Sequence, residues 1–128
     1  MATKAHYRLT LRLLDYVPSQ SERYHLRVQL ETIEHFSGLP YTLLVEHQES
    51  RHIHTFHIRG LAPSDLLGTP VGSASYVEDI TIATDGAVNI VVTRSNQIQV
   101  IPIVLQRGKL IITDDVSGGF VEVQLSQM

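Results

Sequence analysis

The residues that offer chemistry lie between positions 41 and 59. The stretch reads Tyr-Thr-Leu-Leu-Val-Glu-His, Gln-Glu-Ser-Arg, His-Ile-His-Thr-Phe-His-Ile-Arg, and it holds four of the chain's seven histidines. Its alternation suits two strands joined by a tight polar turn. With Glu49 and Ser50 at the turn, His47 lies opposite His52, Val45 opposite His54, Leu43 opposite Phe56 and Tyr41 opposite Ile58. Strand side chains alternate, so all eight share one face, and that face ends toward the turn in three imidazoles. Glu46 and His57 fall on the other face.

Three neutral imidazoles can bind a transition metal, and a fourth position left open would make a catalytic centre. A metal-dependent enzyme with His47, His52 and His54 as ligands is therefore one expectation. The plainer reading carries more weight: half-exposed polar residues on a sheet rim, with no cofactor. Without a metal, three imidazoles within reach of one another cannot all charge, so some should titrate below the ordinary value of about 6.5.

Other constellations are weaker. Arg8, Arg12 and Arg27 share a face with His6 and His25 if the first two strands pair, which would suit an anion-binding adaptor. Gln29 and Glu31 dilute that face, and no aromatic residue is interleaved for base stacking. Asp114 and Asp115 before Gly118 and Gly119 suit a turn better than a calcium loop. Gly68-Thr-Pro-Val-Gly-Ser lacks the lysine of a phosphate-binding loop, and no serine sits in a nucleophile elbow.

The elements that must position these groups read as strands. Tyr7, Leu9, Leu11 and Leu13 alternate with polar residues. Residues 23–33 alternate too, although Ser19 with Glu22 and the spacing of Leu26, Leu30 and Ile33 also admit a helix over 20–36. The strand is favoured, pairing Leu13 with Tyr24 and Leu11 with Leu26. From Gly60 to Gly72 the chain reads as a connection with one short helical turn after Ser64, followed by a mobile loop over 68–75. Asp85-Gly86 predicts a hairpin that pairs Ile82 with Ile90 and Ile80 with Val92. Ser95-Asn96 turns into a strand over 98–105 that is apolar on both faces, and its Pro102 implies a bulge or an edge. Leu105 then faces Leu110, Ile103 faces Ile112, and a last strand runs from Phe120 to Leu125. The expected fold is mainly β: an antiparallel meander of eight or nine strands, closed as a sandwich or an up-and-down barrel, with at most one short helix.

Composition bounds the rest. At 128 residues the chain reads as a single domain over 1–128, large enough to bury roughly two thirds of its unfolded surface. It has no cysteine, which excludes disulfides, thiolate metal sites and cysteine nucleophiles. A net charge of −3 argues against a general nucleic-acid binder, and no apolar run approaches a membrane span, so a cytoplasmic protein is expected. Charged residues make up 18% and apolar residues 43%, which leaves room for an exposed apolar patch. The favoured reading is a non-catalytic binding or assembly module. Either a small lipophilic ligand sits in a barrel mouth lined by Tyr41, Leu43, Val45, Phe56, Ile58 and Tyr76, or an uncovered sheet face makes a homo-oligomer, with a dimer as first expectation.

Overall fold

The computed structural model describes residues 5–14, 23–36, 40–63, 72–83, 87–106, 109–114 and 118–126. Those residues form nine strands: β1 (Tyr7–Leu13), β2 (Arg23–Thr32), β3 (Tyr41–Ser50), β4 (Ile53–Pro63), β5 (Ser75–Ala83), β6 (Ala87–Arg94), β7 (Gln97–Gln106), β8 (Lys109–Ile112) and β9 (Val121–Ser126). They make one mixed sheet, in the order β8-β7-β6-β4-β3-β5-β2-β1-β9, nearly closed into a barrel. Among the described residues there is no helix, and none long and apolar enough to cross a membrane. The mainly β expectation holds, and the strand reading of 23–32 prevails over the helix. The short helical turn expected after Ser64 lies outside the described residues.

The sheet divides into two walls. One is β8-β7-β6-β4-β3 and the other is β5-β2-β1-β9. Their inner faces are apolar at every second residue, and these side chains meet in one core. Leu9, Leu11, Leu26, Val28 and Leu30 come from the second wall, and Phe56, Ile90, Val92, Ile101 and Ile103 from the first, all essentially inaccessible. Each such side chain contributes roughly 1.5–3 kcal/mol when fully buried. The barrel is therefore held, and filled, by its own side chains.

Two seams join the walls. Between β3 and β5 a single parallel bridge, Thr42 to Ser75, replaces a ladder. Between β7 and β9 the side-chain amide of Gln99 stands in for a strand. Its Nε2 donates to the Val121 carbonyl at 2.9 Å, and its Oε1 accepts the Val121 N–H at 3.0 Å. Gly119 makes room for this, because a Cβ there would overlap the Gln99 amide.

The topology departs from a meander. β1 and β9, β4 and β6, and β3 and β5 run parallel. The expected hairpin between β5 and β6 is absent: β5 pairs with β2, and β6 with β4 and β7. Ile80 and Ile82 belong to one wall, Val88, Ile90 and Val92 to the other, and all five are buried. Two alternating apolar strands around a short connection fit either a hairpin or two opposed walls, and their alternation is the same in both.

β4 also runs on through Gly60 to Pro63, where a connection was expected. The β3–β4 register shifts between Leu44 and Val45, leaving Arg59 as an extra residue beside Gly60. Gly60 takes a φ of +145°, a backbone that suits glycine, so the strand continues through a bulge. Pro102 is tolerated because its carbonyl accepts Thr113 N–H at 3.0 Å on the β8 side. In an antiparallel strand the nitrogen points the same way, so the missing N–H costs the β6 ladder nothing.

Candidate functional site

The β3–β4 hairpin turns at Arg51 and His52, both at positive φ, and not at Glu49 and Ser50. The pairing is therefore offset by four residues from the expected one. His47 lies opposite Phe56, Val45 opposite Ile58 and Glu49 opposite His54. Between the turn and the bulge at Leu44 and Val45 this even offset keeps every side chain on its face. His47 and His54 still meet on the inner face, while His52 sits exposed in the turn. The triad of imidazoles is thus a pair.

That pair belongs to a longer chain of polar groups at the β3–β5 seam. Nε2 of His47 and Nδ1 of His54 are 3.0 Å apart. Nδ1 of His47 meets the Glu78 carboxylate of β5, whose other oxygen accepts the Tyr76 hydroxyl. Nε2 of His54 faces Glu49 at 3.4 Å. The His47 ring is stacked on Phe56, with centroids 4.5 Å apart and planes within 3°. The order is Tyr76, Glu78, His47, His54, Glu49.

In the His47–His54 contact one nitrogen donates and the other accepts, and the tautomers of the two rings set which does which. Burial holds the His54 imidazole below its ordinary range. The His47 charge acts the same way, while Glu49 and Glu78 pull weakly upward. Burial, reinforced by Glu78, keeps the Tyr76 phenol protonated far above its ordinary range. The chain bridges two walls that share one backbone contact, and each member is occupied by its neighbour. Among the described residues no group of three or more His, Asp or Glu is arranged to hold a metal ion.

On the outer face His57 pairs with Thr93 Oγ1 at 2.6 Å and with Gln48 Oε1 at 3.3 Å, beside the Arg59–Glu46 ion pair at 2.7 Å. On the arginine face Arg8 and Arg27 are engaged by carboxylates, while Nε of Arg8 and of Arg12 is buried without a hydrogen-bond partner among the described residues. Arg8 reaches Glu31 and Glu122 at 3.7 Å each, and Arg27 holds Asp79 at 2.8 Å.

Of the residues expected to line a ligand site, Leu43, Phe56 and Ile58 are buried in the core. Tyr41, Val45 and Tyr76 are packed against it. They fill the barrel. The open space lies at one mouth, in a cavity of about 800 Å³. Tyr7, Thr32, Ile33, Phe36, Leu61 and Arg94 line it, with Ala5, His6, Glu34 and Gln97. These residues come from the start of β1, the segment after β2, the end of β4 and the β6–β7 turn. Its rim is braced. Thr32 Oγ1 accepts Ala74 N–H and donates to the Glu34 carbonyl, both at 2.9 Å. Phe36 N–H reaches the Gly72 carbonyl at 2.9 Å, and its ring meets Tyr41 edge-on at 5.2 Å.

Glu78 was legible as an acid among Tyr76, Ile80 and Ile82 on an otherwise apolar strand face. The mouth was not, because it exists only once both walls meet. No protein-family model, curated protein or solved structure matches this chain.

Proposed function

We propose that this chain is a non-catalytic binding module that seats a small molecule in the mouth cavity. What carries the reading is the contrast, among the described residues, between a barrel interior filled by side chains and an open, braced cavity of about 800 Å³ at its end. Sites for small organic molecules commonly run from about 300 to 1,000 Å³ and combine apolar walls with a few polar groups. Phe36, Ile33 and Leu61 supply the walls here. The acid–base groups of the seam argue against catalysis, since they are consumed in bridging β3, β4 and β5.

The test is amide NMR during titration with small aromatic and aliphatic compounds. Shifts should cluster at His6, Ile33, Leu61 and Arg94, and Leu61→Trp should suppress them by filling the rim. Shifts confined to another surface, or none at all, would refute the reading.

A second reading, assembly as a homodimer, rests on the outer face of β7. Ile98 and Val100 are 69% and 49% exposed, and Ile111 of β8, 41% exposed, lies further along the same face beside Val104. Half-buried Val104 pairs with Ile111, and Val91 with Val100, so the stripe is continuous across β6, β7 and β8.

A further inference from the structure

We propose that the ligand of the mouth cavity is a small monocarboxylate with an apolar or aromatic body, and that Arg94 is the residue that recognises it. The inference rests on the small-molecule reading above and names the ligand class. The first observation is a difference among the arginines. Arg8, Arg27 and Arg59 are each held by a carboxylate. Arg94, like Arg12 and Arg51, has no ion pair among the described residues, and of these it is the one that lines the cavity.

The second observation is how Arg94 is held. Its guanidinium carbon lies 5.4 Å from the centroid of the Tyr7 ring. Tyr7 is itself buried and packed edge-on against Phe120, at 6.4 Å between centroids. A guanidinium held over a ring by its charge still has N–H groups to donate, and its planar fork matches the two oxygens of a carboxylate. Arg94 also pairs across the β6–β7 turn with Gln97, which lines the same cavity and offers an amide N–H. Arg94 is otherwise exposed, and the Tyr7 contact narrows the positions open to its guanidinium before a ligand arrives, which lowers the entropy lost on binding.

The remaining walls limit the ligand. Ile33, Phe36 and Leu61 offer apolar surface for a ring or an alkyl chain. Glu34 puts an acid on the same lining and forms no ion pair among the described residues. A second negative charge on the ligand would meet it, so a dianion such as a phosphate monoester is disfavoured. A hydroxyl or ammonium group on the ligand's far end would be accepted there.

The experiment is an amide-NMR titration of the full chain with benzoate, benzamide, benzylamine and phenyl phosphate. Benzoate should bind tightest, with shifts at His6, Ile33, Leu61 and Gln97. Arg94→Gln should weaken it about tenfold or more, as expected for loss of a charge-assisted bidentate pair. Arg94→Lys should lose part of that, because an ammonium neither stacks nor forks. Arg8→Gln on the outer face should change nothing. The amide spectrum and melting midpoint of Arg94→Gln verify that it folds. Mouth shifts with benzamide or benzylamine as strong as with benzoate, or benzoate binding indifferent to Arg94→Gln, would overturn the carboxylate assignment and leave the small-molecule reading standing. Absence of mouth shifts with all four probes would overturn both.

Discussion

At His54 burial and hydrogen bonding pull in opposite directions. The ring is almost inaccessible, which penalises its charged form, yet its two nitrogens face His47 and Glu49. Burial is the larger effect and depresses its proton affinity. Such a histidine binds fewer protons folded than unfolded. Its contribution to stability is complete above about pH 6.5 and is lost as pH falls through that value toward the depressed one. Urea midpoints should therefore drop between about pH 7.5 and about pH 5.5, and His54→Gln should shrink that drop. Glu46 and Asp79, whose carboxyls are lowered by Arg59 and Arg27, act in the more acidic carboxylate window and are exposed. An unchanged pH dependence in His54→Gln would count against this account.

The same scale separates two ion pairs of unequal worth. Glu78 bridges β5 to β3 through a mostly buried His47, whereas Glu46 meets Arg59 in solvent. Glu78→Gln should cost about 1–2 kcal/mol, the range for a partly buried bond to a charged group. Glu46→Gln should leave the urea midpoint essentially unchanged, because its ion pair with Arg59 is exposed and screened by solvent. Urea denaturation of both variants decides it, and equal losses would mean that Glu78 does nothing special for the seam.

At the scale of the element, the barrel closes by side chains where ladders run out. Gln99 supplies a donor and an acceptor to Val121, and the lack of a side chain at Gly119 lets it approach. Gly119→Ala should displace that amide, and Gln99→Ala should remove both bonds at a cost of about 1–3 kcal/mol. Hydrogen exchange at the Val121 amide should quicken in both variants while β2 and β6 amides keep their protection. Uniform loss across the sheet would mean that the clamp is not local.

Local pairings were legible in the chain, and distant ones were not. Leu105 with Leu110 and Ile103 with Ile112 follow from one short turn, as does the β6–β7 pair around Ser95 and Asn96. Elsewhere registers slipped by even numbers: by two residues where Leu13 meets Leu26 in place of Tyr24, and by four where His47 meets Phe56. Period-two alternation survives such slips, so the His47–His54 pair was readable although its partner His52 was not excluded. The contacts of Glu78 with His47 and of Arg94 with Tyr7 depend on β3 lying beside β5 and on the two walls closing. Alternation carries no information about either.

Across the whole molecule, a filled interior leaves the outer surface to account for the remaining apolar residues. β7 has apolar side chains on both faces. Ile101, Ile103 and Leu105 satisfy the core, while Ile98 and Val100 face solvent with Val91 beside Val100, and Val104 and Ile111 further along the same face. Scattered exposed apolar residues are ordinary, and it is the continuity of this stripe across three strands that the proposed dimer uses. A two-fold axis through that stripe would bury it against itself without requiring a second complementary patch. Sedimentation velocity over a concentration series should then show a monomer–dimer equilibrium. Val100→Lys should shift it to monomer, because a like charge placed at a two-fold interface meets its own copy. Val100 lies outside the core, so the variant's stability should change by no more than about 0.5 kcal/mol. A single monomeric species at every concentration in the unmodified chain would remove the dimer reading and leave the mouth cavity as the functional surface of the barrel.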